Sequence, residues 1–434
     1  MQREATLLVT GARQLALVPP QPRGAPKRGA ALGDLGIVSD GALAILGERI
    51  VAAGTTEQIR AAFILAEGGV EIDARGCAVL PAFVDPHTHV LFAGSREEEF
   101  EQRLQGKSYM EIAAAGGGIR SSVRAFHAAA DEAMLAASLA RLDRMAAYGT
   151  GTVEVKTGYA LEPEGELRAL RLIAELGRRH ALGIVPTFLG AHEIPDSQRA
   201  RPDDYVNLLV EEMIPAAART GIPRFCDVFC EQGVFTVEQS RRILLAAREH
   251  GLAPKLHADE IEPFGGAELA AEVGAVSADH LGRVSREGMR ALAEAGVVAV
   301  LLPGTIFSLG THAYAPARAL IDAGAPVALA TDCNPGSSMT DAMPWAIALA
   351  CLEMRMSPAE AVSAATYNAA AAVGLSGERG SLAPGYRADV QILDAPSYAR
   401  LPYHVGSSDV RDLILGGAVR IREGRPIGPL RAGA

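Results

Sequence analysis

The chain has 434 residues, 49% of them hydrophobic and 21% charged, an ordinary globular composition with room for one large domain and a smaller one. The formal net charge is −10, from 41 Lys+Arg against 51 Asp+Glu, and no basic tract interrupts it, which argues against a nucleic-acid partner. No apolar run approaches the roughly 18 residues of a membrane span, the opening MQREATLLVTGARQLALVPP scatters charge where a signal peptide is apolar, and the 5 cysteines form no C-x-x-C pair, so a soluble, reduced, cytoplasmic protein is expected.

Up to about Leu80 the chain carries short β-like runs (GALAILGERIVAAG, GCAVL) and a Pro/Gly/Ala-rich loop from Val18 to Gly33. Eight apolar strand-like runs follow: AVLPAFVDPH, GTVEVKTGY, IVPTFLGAHE, FCDVFCE, APKLHADE, AVSADHL, VVAVLLPG and PVALATDCN. Helical patterns separate most of them, with start signals at Thr236-Val-Glu-Gln239 and Ser357-Pro-Ala-Glu360. From about Gly380 the β style returns in RADVQILDA and DLILGGAVRIREG.

Strands apolar on both faces, alternating eight times with helices, predict an α/β fold: a closed parallel (β/α)8 TIM-like barrel over residues 81–379. An open doubly wound sheet is the rival, weakened because no G-x-G-x-x-G follows an early strand. Neither flank can build a core alone, so 1–80 and 380–434 are expected to pair into one small discontinuous β-sandwich. The stretch AMPWAIALACL is a candidate exposed helix face, and with the frequency of symmetric oligomers it suggests a homodimer; barrel packing is the plainer explanation.

In such a barrel the chemistry sits where strands end. The first run ends in Asp85-Pro-His87-Thr-His89, the fifth in His257-Ala-Asp259-Glu260, the sixth in Asp279-His280 and the eighth in Thr331-Asp332-Cys-Asn334. His87 and His89, two apart, face the same way in an extended strand and can clamp one cation. Adding His257 and Asp332 gives three imidazoles and a carboxylate, a set suited to one divalent metal, Zn²⁺ or iron (Fe²⁺/Fe³⁺), with a position left for water. H-x-H alone is as easily a pair of satisfied polar residues. Four such strand ends are costly to bury without a metal or partners.

At these residues the chain resembles a family. PAFVDPHTH and GSLAPGYRADVQILD are similar to the two ends of the amidohydrolase superfamily. DPHTHVLFAGSREEEF, GKSYMEIAAAGGGI, VEVKTGYAL, TFLGAHEIP, DVFCEQGVF, KLHADEI, SADHL and TDCNPGSS resemble, more narrowly, the imidazolonepropionases of histidine degradation, over residues 5 to 425. The resemblance implies metal ligands at His87, His89, His257 and Asp332, the four that strand position selects. It implies substrate contacts at Arg96, Tyr109, Tyr159, His192, Glu260, Asn334, Gly336 and Ser337, with His280 in the catalytic pocket. The chain departs from the family pattern at Phe126-His127, where a Thr-Arg pair is expected.

The reaction so implied opens the ring of 4-imidazolone-5-propanoate to N-formimidoyl-L-glutamate by metal-dependent hydrolysis. Asp332 is placed to accept a proton from the water, His280 to orient it or stabilise an oxyanion, and Glu260 to hold the ring nitrogens and relay a proton to the leaving nitrogen; sequence leaves the division of acid and base among these three open. Arg96 suits the propionate, although an Arg beside Glu97-Glu-Glu99 also reads as a surface ion pair, and Asn334-Pro-Gly-Ser337 also reads as a turn. Lys156 on the second run is expected to be structural or electrostatic beside a single metal, not a carboxylated bridge between two; Glu154, Glu193 and Glu231 are supporting carboxylates. The competing readings are a related purine or pyrimidine deaminase and a catalytically inactive barrel used in assembly.

Overall fold

The computed structural model describes residues 2–107, 111–112 and 116–431. Each of the eight runs supplies one strand of a parallel sheet: β1 Phe83–Asp85, β2 Thr150–Lys156, β3 Gly183–Ala191, β4 Phe225–Cys230, β5 Ala253–Ala258, β6 Ser277–His280, β7 Val298–Leu301 and β8 Val327–Leu329, adjacent in chain order. β1 and β8 meet just beyond their ends, where Thr88 bridges Cys333 and the amides of His89 and Asp332 donate to Cys333 O (3.0 Å) and His87 O (3.1 Å). The sheet is a nearly closed barrel stitched shut on the side where the polar residues gather, as the α/β reading requires.

Apolar residues bury both faces. Outside, helices such as Asp131–Ala147, Pro163–Arg179 and Val237–Glu249 pack against the strands; inside and below, Val84, Val185, Val298, Val300 and Ala328 pack against Tyr367–Ala372, a short helix that plugs the N-terminal end. Both helix starts read from sequence are capping boxes: Thr236 Oγ1 accepts from Gln239 N, Ser357 Oγ from Glu360 N, and each N3 side chain returns to its cap.

The run AVLPAFVDPH serves two sheets. Ala82 N donates to Asp389 O and Phe83 N to Gly149 O, so Ala78–Pro81 pairs with Val390–Leu393 of the tail while Phe83–Asp85 enters the barrel. The terminal strands form two sheets: Arg49–Thr55, Gly41–Leu46, Arg3–Ala12 and Phe63–Asp73 in one, and Arg425–Pro426, Ala418–Arg422, Val410–Leu415, Val390–Leu393, Ala78–Pro81, Gln14–Ala16 and Ile37–Val38 in the other. Leu7, Val9, Leu43 and Ile72 of the first meet Val79, Val390, Ile392 and Ile414 of the second. Among the described residues the strands of the tail lie in the second sheet, and Arg387 adds an isolated bridge to Arg49 of the first.

The Val18–Gly33 loop is pinned to the barrel: Gln21 N donates to Tyr367 Oη, Lys27 N to Asn368 Oδ1 and Arg28 Nη1 to Ala293 O. The AMPWAIALACL stretch forms helix Met343–Leu352, but Met343, Ala346, Ile347, Leu349 and Ala350 are buried in the chain itself, leaving Leu352 exposed; its apolarity is barrel packing. The cysteines among the described residues are all free, and all but the half-buried Cys351 are buried. No helix among them is long and apolar enough to cross a membrane.

Candidate metal centre

Two-residue spacing places the site. Glu154 and Lys156, Lys255 and His257, and Ser277 and Asp279 are pairs two apart on buried strands, and with Asp227 on β4 all are buried, so each pair shares a face. His87 and His89 continue the first strand past Asp85, whose carboxylate accepts from Thr331 N (3.1 Å) and Thr331 Oγ1 (2.5 Å). That pairing brings the Asp332 loop across to the two histidines.

The four imidazoles form one cluster. Ring centroids lie 4.5 Å apart for His87 and His257, 5.3 Å for His87 and His89, 5.5 Å for His89 and His257, and 5.1 Å for His257 and His280. Asp332 Oδ1 stands 3.6 Å from His87 Nε2 and 3.7 Å from His89 Nε2, and Thr305 Oγ1 donates to its Oδ2 at 2.6 Å. Carboxylates fix two tautomers: His87 Nδ1 donates to Asp279 Oδ2 (2.6 Å) and His257 Nδ1 lies 3.1 Å from Asp227 Oδ2.

What remains is a set of buried nitrogens without hydrogen-bond partners: Nε2 of His87, His257 and His280, and Nδ1 of His89. Leaving such a group unpaired costs about 1–3 kcal/mol, and this many within one cluster is what a cation would relieve. Burial holds His87, His89 and His280 well below the usual histidine pKa, so they are neutral, as metal ligation requires; against the same burial, Asp227 raises His257. Overlapping trios can converge on an ion, among them His87/His89/Asp332, His87/His257/His280 and His89/His192/His257. The donor set therefore fits a divalent metal, with His280 a geometric competitor for a ligand position.

The rim backbone is strained around this cluster, as it is at Leu161 and His312 in the connections after β2 and β7. Asp259, His280, Leu281 and Asp332 all have positive φ, between 49° and 77°, a conformation non-glycine residues hold only when surroundings impose it. Asp259 illustrates the imposition: its carboxylate accepts from the amides of Phe264, Gly265, Gly266 and Ala267, bracing the loop that presents Glu260. Glu231 braces the same loop through Ile261 N. Burial, then Asp332, pushes the Glu260 carboxyl up to about 8; burial pushes Asp332 up to about 6, against the Thr305 hydroxyl. Glu260 Oε2 lies 3.6 Å from His280 Nδ1, and both line a cleft with Gly282, Pro303, Ile306 and Met354.

The expected substrate residues fall into two groups. His192 stacks on His89 at 4.9 Å and 14°, with Nδ1 3.0 Å from Gly158 O, and burial lowers its pKa to about 3. Gly158 must be glycine, because at φ 107° a Cβ would meet His192 Nδ1 and Leu189 O at 2.8 Å. Tyr159 is buried beside both rings, 6.0 Å from His89 and 5.5 Å from His192. Arg96, Asn334, Gly336 and Ser337 form the second group. Arg96 is not a surface residue: its side chain is 11% exposed, Nε and Nη2 donate to Glu99 Oε2 (3.0 and 2.7 Å), and its Nη1 lies where a Gly336 Cβ would be. Asn334 Oδ1 accepts from the amides of Gly336 and Ser337, and its Nδ2 donates to Asp332 O; its polar atoms brace the turn. Tyr109 lies outside the described residues.

At the departure from the family pattern, Phe126 is buried under the Arg168 guanidinium (5.2 Å) and His127 Nε2 lies 3.0 Å from Ala160 O, tying helix Ile119–Ala128 to the loop that carries Tyr159. Sequence reasoning passed over Asp227 altogether and gave Asp279 no role. The signal was there: an ionisable residue at an inward position of an otherwise apolar strand has to have a partner.

A family model described as "Amidohydrolase family" matches residues 78–419. Among curated proteins, an imidazolonepropionase of Geobacillus kaustophilus (strain HTA426) is 50% identical over 421 residues, 96% of this chain and 99% of that protein. One from Symbiobacterium thermophilum is 50% identical over 424 residues, covering 98% and 99%. In solved structures, an adenosine deaminase from Xanthomonas campestris with bound zinc superposes with a TM-score of 0.68 at 20% identity, covering 98% of this chain and 95% of that one, and a triazine hydrolase variant with 0.69 at 18%, covering 97% and 96%; likeness at that identity speaks to the fold alone. Half of the residues shared end to end, on this barrel and with this strand-end cluster, is kinship rather than resemblance: the chain belongs to the amidohydrolase family and, within it, to the imidazolonepropionases.

Proposed function

We propose that this chain hydrolyses the ring C–N bond of 4-imidazolone-5-propanoate to N-formimidoyl-L-glutamate in cytoplasmic histidine degradation, with one cation, Zn²⁺ or iron, held by His87, His89, His257 and Asp332. The observation that carries it is the gathering of buried imidazoles at the barrel mouth, each with a nitrogen that lacks a hydrogen-bond partner, beside an Asp332 carboxylate whose Oδ1 lies 3.6 Å from His87 Nε2 and 3.7 Å from His89 Nε2. A cation bound there lowers the pKa of a water to about 7.

The side chains divide the remaining work. Asp332 Oδ2 is held by Thr305, leaving Oδ1 toward the imidazoles, where it can take a proton from water. Glu260, pushed up to about 8, carries a proton at neutral pH and can give it to the leaving ring nitrogen; two carboxyls pushed to different values are how one site runs acid and base steps together. His280, kept neutral by burial, orients the attacking water. Arg96, held by Glu99, receives the propionate, with Tyr159 and His192 closing on the ring. Asn334, Gly336 and Ser337 shape the turn under Arg96. The unit built from 1–80 and 380–434 supports a catalytic unit of 81–379.

The test is incubation of the purified protein with imidazolonepropionate, following loss of its ultraviolet absorbance and appearance of formimidoyl-glutamate. No turnover of this substrate, with ammonia release from a purine or pyrimidine, would replace ring opening by deamination.

A further inference from the structure

Beneath the imidazoles lies a set of charges that the hydrolysis does not itself consume. Glu154 and Lys156 on β2, Asp227 on β4, Lys255 on β5 and Asp279 on β6 are all fully buried. Lys156 Nζ stands 2.7 Å from Asp227 Oδ2, 3.0 Å from Glu154 Oε2 and 3.6 Å from Asp279 Oδ2. Lys255 Nζ donates to Glu154 Oε2 (2.8 Å) and to Pro86 O (3.0 Å), just before His87. Two of these carboxylates are the ones that hold His257 Nδ1 and His87 Nδ1. His87, Asp227 and Asp279 are close enough together to hold a cation of their own, and the Lys156 ammonium already serves all three carboxylates at that place.

We propose that Lys156 is a positioning residue for the metal centre: its ammonium, shared between Asp227 and Asp279, ties the carboxylates that orient His257 and His87 into one unit and so aims both Nε2 atoms at a single point. The inference rests on reading His87, His89, His257 and Asp332 as the ligand set. Without the ammonium nothing joins Asp227 to Asp279, and two like charges buried together turn apart, which releases the imidazole each one holds. The same contacts keep Lys156 an ammonium. A carboxylated lysine would set a fourth negative charge among Glu154, Asp227 and Asp279, so the arrangement serves one cation, not a bridged pair.

The test compares Lys156→Met with the native chain, using Co²⁺ as the probe: affinity by competition with a chelator, and the visible absorption spectrum of the bound ion. Lys156→Met is expected to weaken Co²⁺ binding by about 10- to 100-fold, the usual effect of losing a group that orients ligands, and to change the spectrum, which a purely structural role would not do. Because three buried carboxylates against one ammonium can stop the chain folding, Lys156→Met combined with Glu154→Gln restores the charge balance and keeps Asp227 and Asp279. Native affinity and a native spectrum in either folded variant overturn the inference. Failure of both variants to fold overturns it too, since the ammonium would then be a requirement of the fold rather than of the site. His257→Ala, measured in parallel, separates the premises: if it too keeps native Co²⁺ affinity, the ligand set is wrong; if it loses binding while the Lys156 variants keep it, only the inference falls.

Discussion

Asp332 is asked to do two things that a single substitution can separate. Its Oδ1 faces His87 and His89 while Oδ2 is committed to Thr305, so Asn keeps an oxygen for coordination but loses charge and basicity. Asp332→Asn is expected to retain part of the metal while kcat falls roughly 10²–10⁴-fold, the range of a missing general base; metal content measured beside kcat checks it, and near-native kcat at full loading removes Asp332 from proton transfer. Arg96 makes the contrasting case. Its two nitrogens on Glu99 leave Nη1 over Gly336, so Arg96→Ala is expected to keep the metal and to weaken substrate capture by about 2–4 kcal/mol, the loss of a charge-assisted contact. That appears as a raised KM. An unchanged KM would mean that Glu99, not the propionate, is the arginine's purpose.

Elements matter here through where they end. β5 and β6 stop at residues held in positive φ, Asp259 and His280, and the run of β8 ends at a third, Asp332, while several helices start at side-chain caps. Thr236 and Ser357 are two such caps: each satisfies an amide of the first helical turn and neither is bonded to a residue of the imidazole cluster. Ser357→Ala is therefore expected to cost about 1 kcal/mol of stability and to leave kcat and KM unchanged, a pairing checked by denaturant unfolding beside steady-state kinetics. A matching loss of activity would show that helix Pro358–Ala365, which leads into the plug Tyr367–Ala372, transmits strain to the barrel mouth.

For the whole molecule, a cation held by this cluster would add stability as well as chemistry. Unpartnered nitrogens on His87, His89, His257 and His280 and the carboxylate of Asp332 exist together only in the folded chain, so an ion bound by them stabilises it by mass action. Removal of metal with a chelator is expected to lower the thermal midpoint, and graded addition of Zn²⁺ to raise it again with the concentration of free ion. A midpoint insensitive to both would mean that the cluster binds no metal in the folded state. The two termini are bound to the same fate, because Ala78–Pro81 pairs with Val390–Leu393 one residue before the chain enters the barrel.

The barrel was legible in the sequence, since an apolar run bounded by turn residues says where a strand lies, and eight in alternation with helices leave few architectures. The ends of those runs named the ligand candidates for the same reason: a polar residue closing an apolar strand has one place to be. Asp227 and Asp279 were not legible in this way, and Lys156 was legible only as a structural or electrostatic residue without its partners. Their meaning depends on which strands are neighbours, with the nearest partners of Lys156 lying 71 residues away at Asp227 and two away at Glu154. The second role of AVLPAFVDPH, the pinning of the Val18–Gly33 loop to the barrel and the burial of Met343–Leu352 were likewise decided only by packing. Periodicity along a chain records which face of an element is apolar, whereas charge compensation and burial are settled by what the folded chain sets against that face.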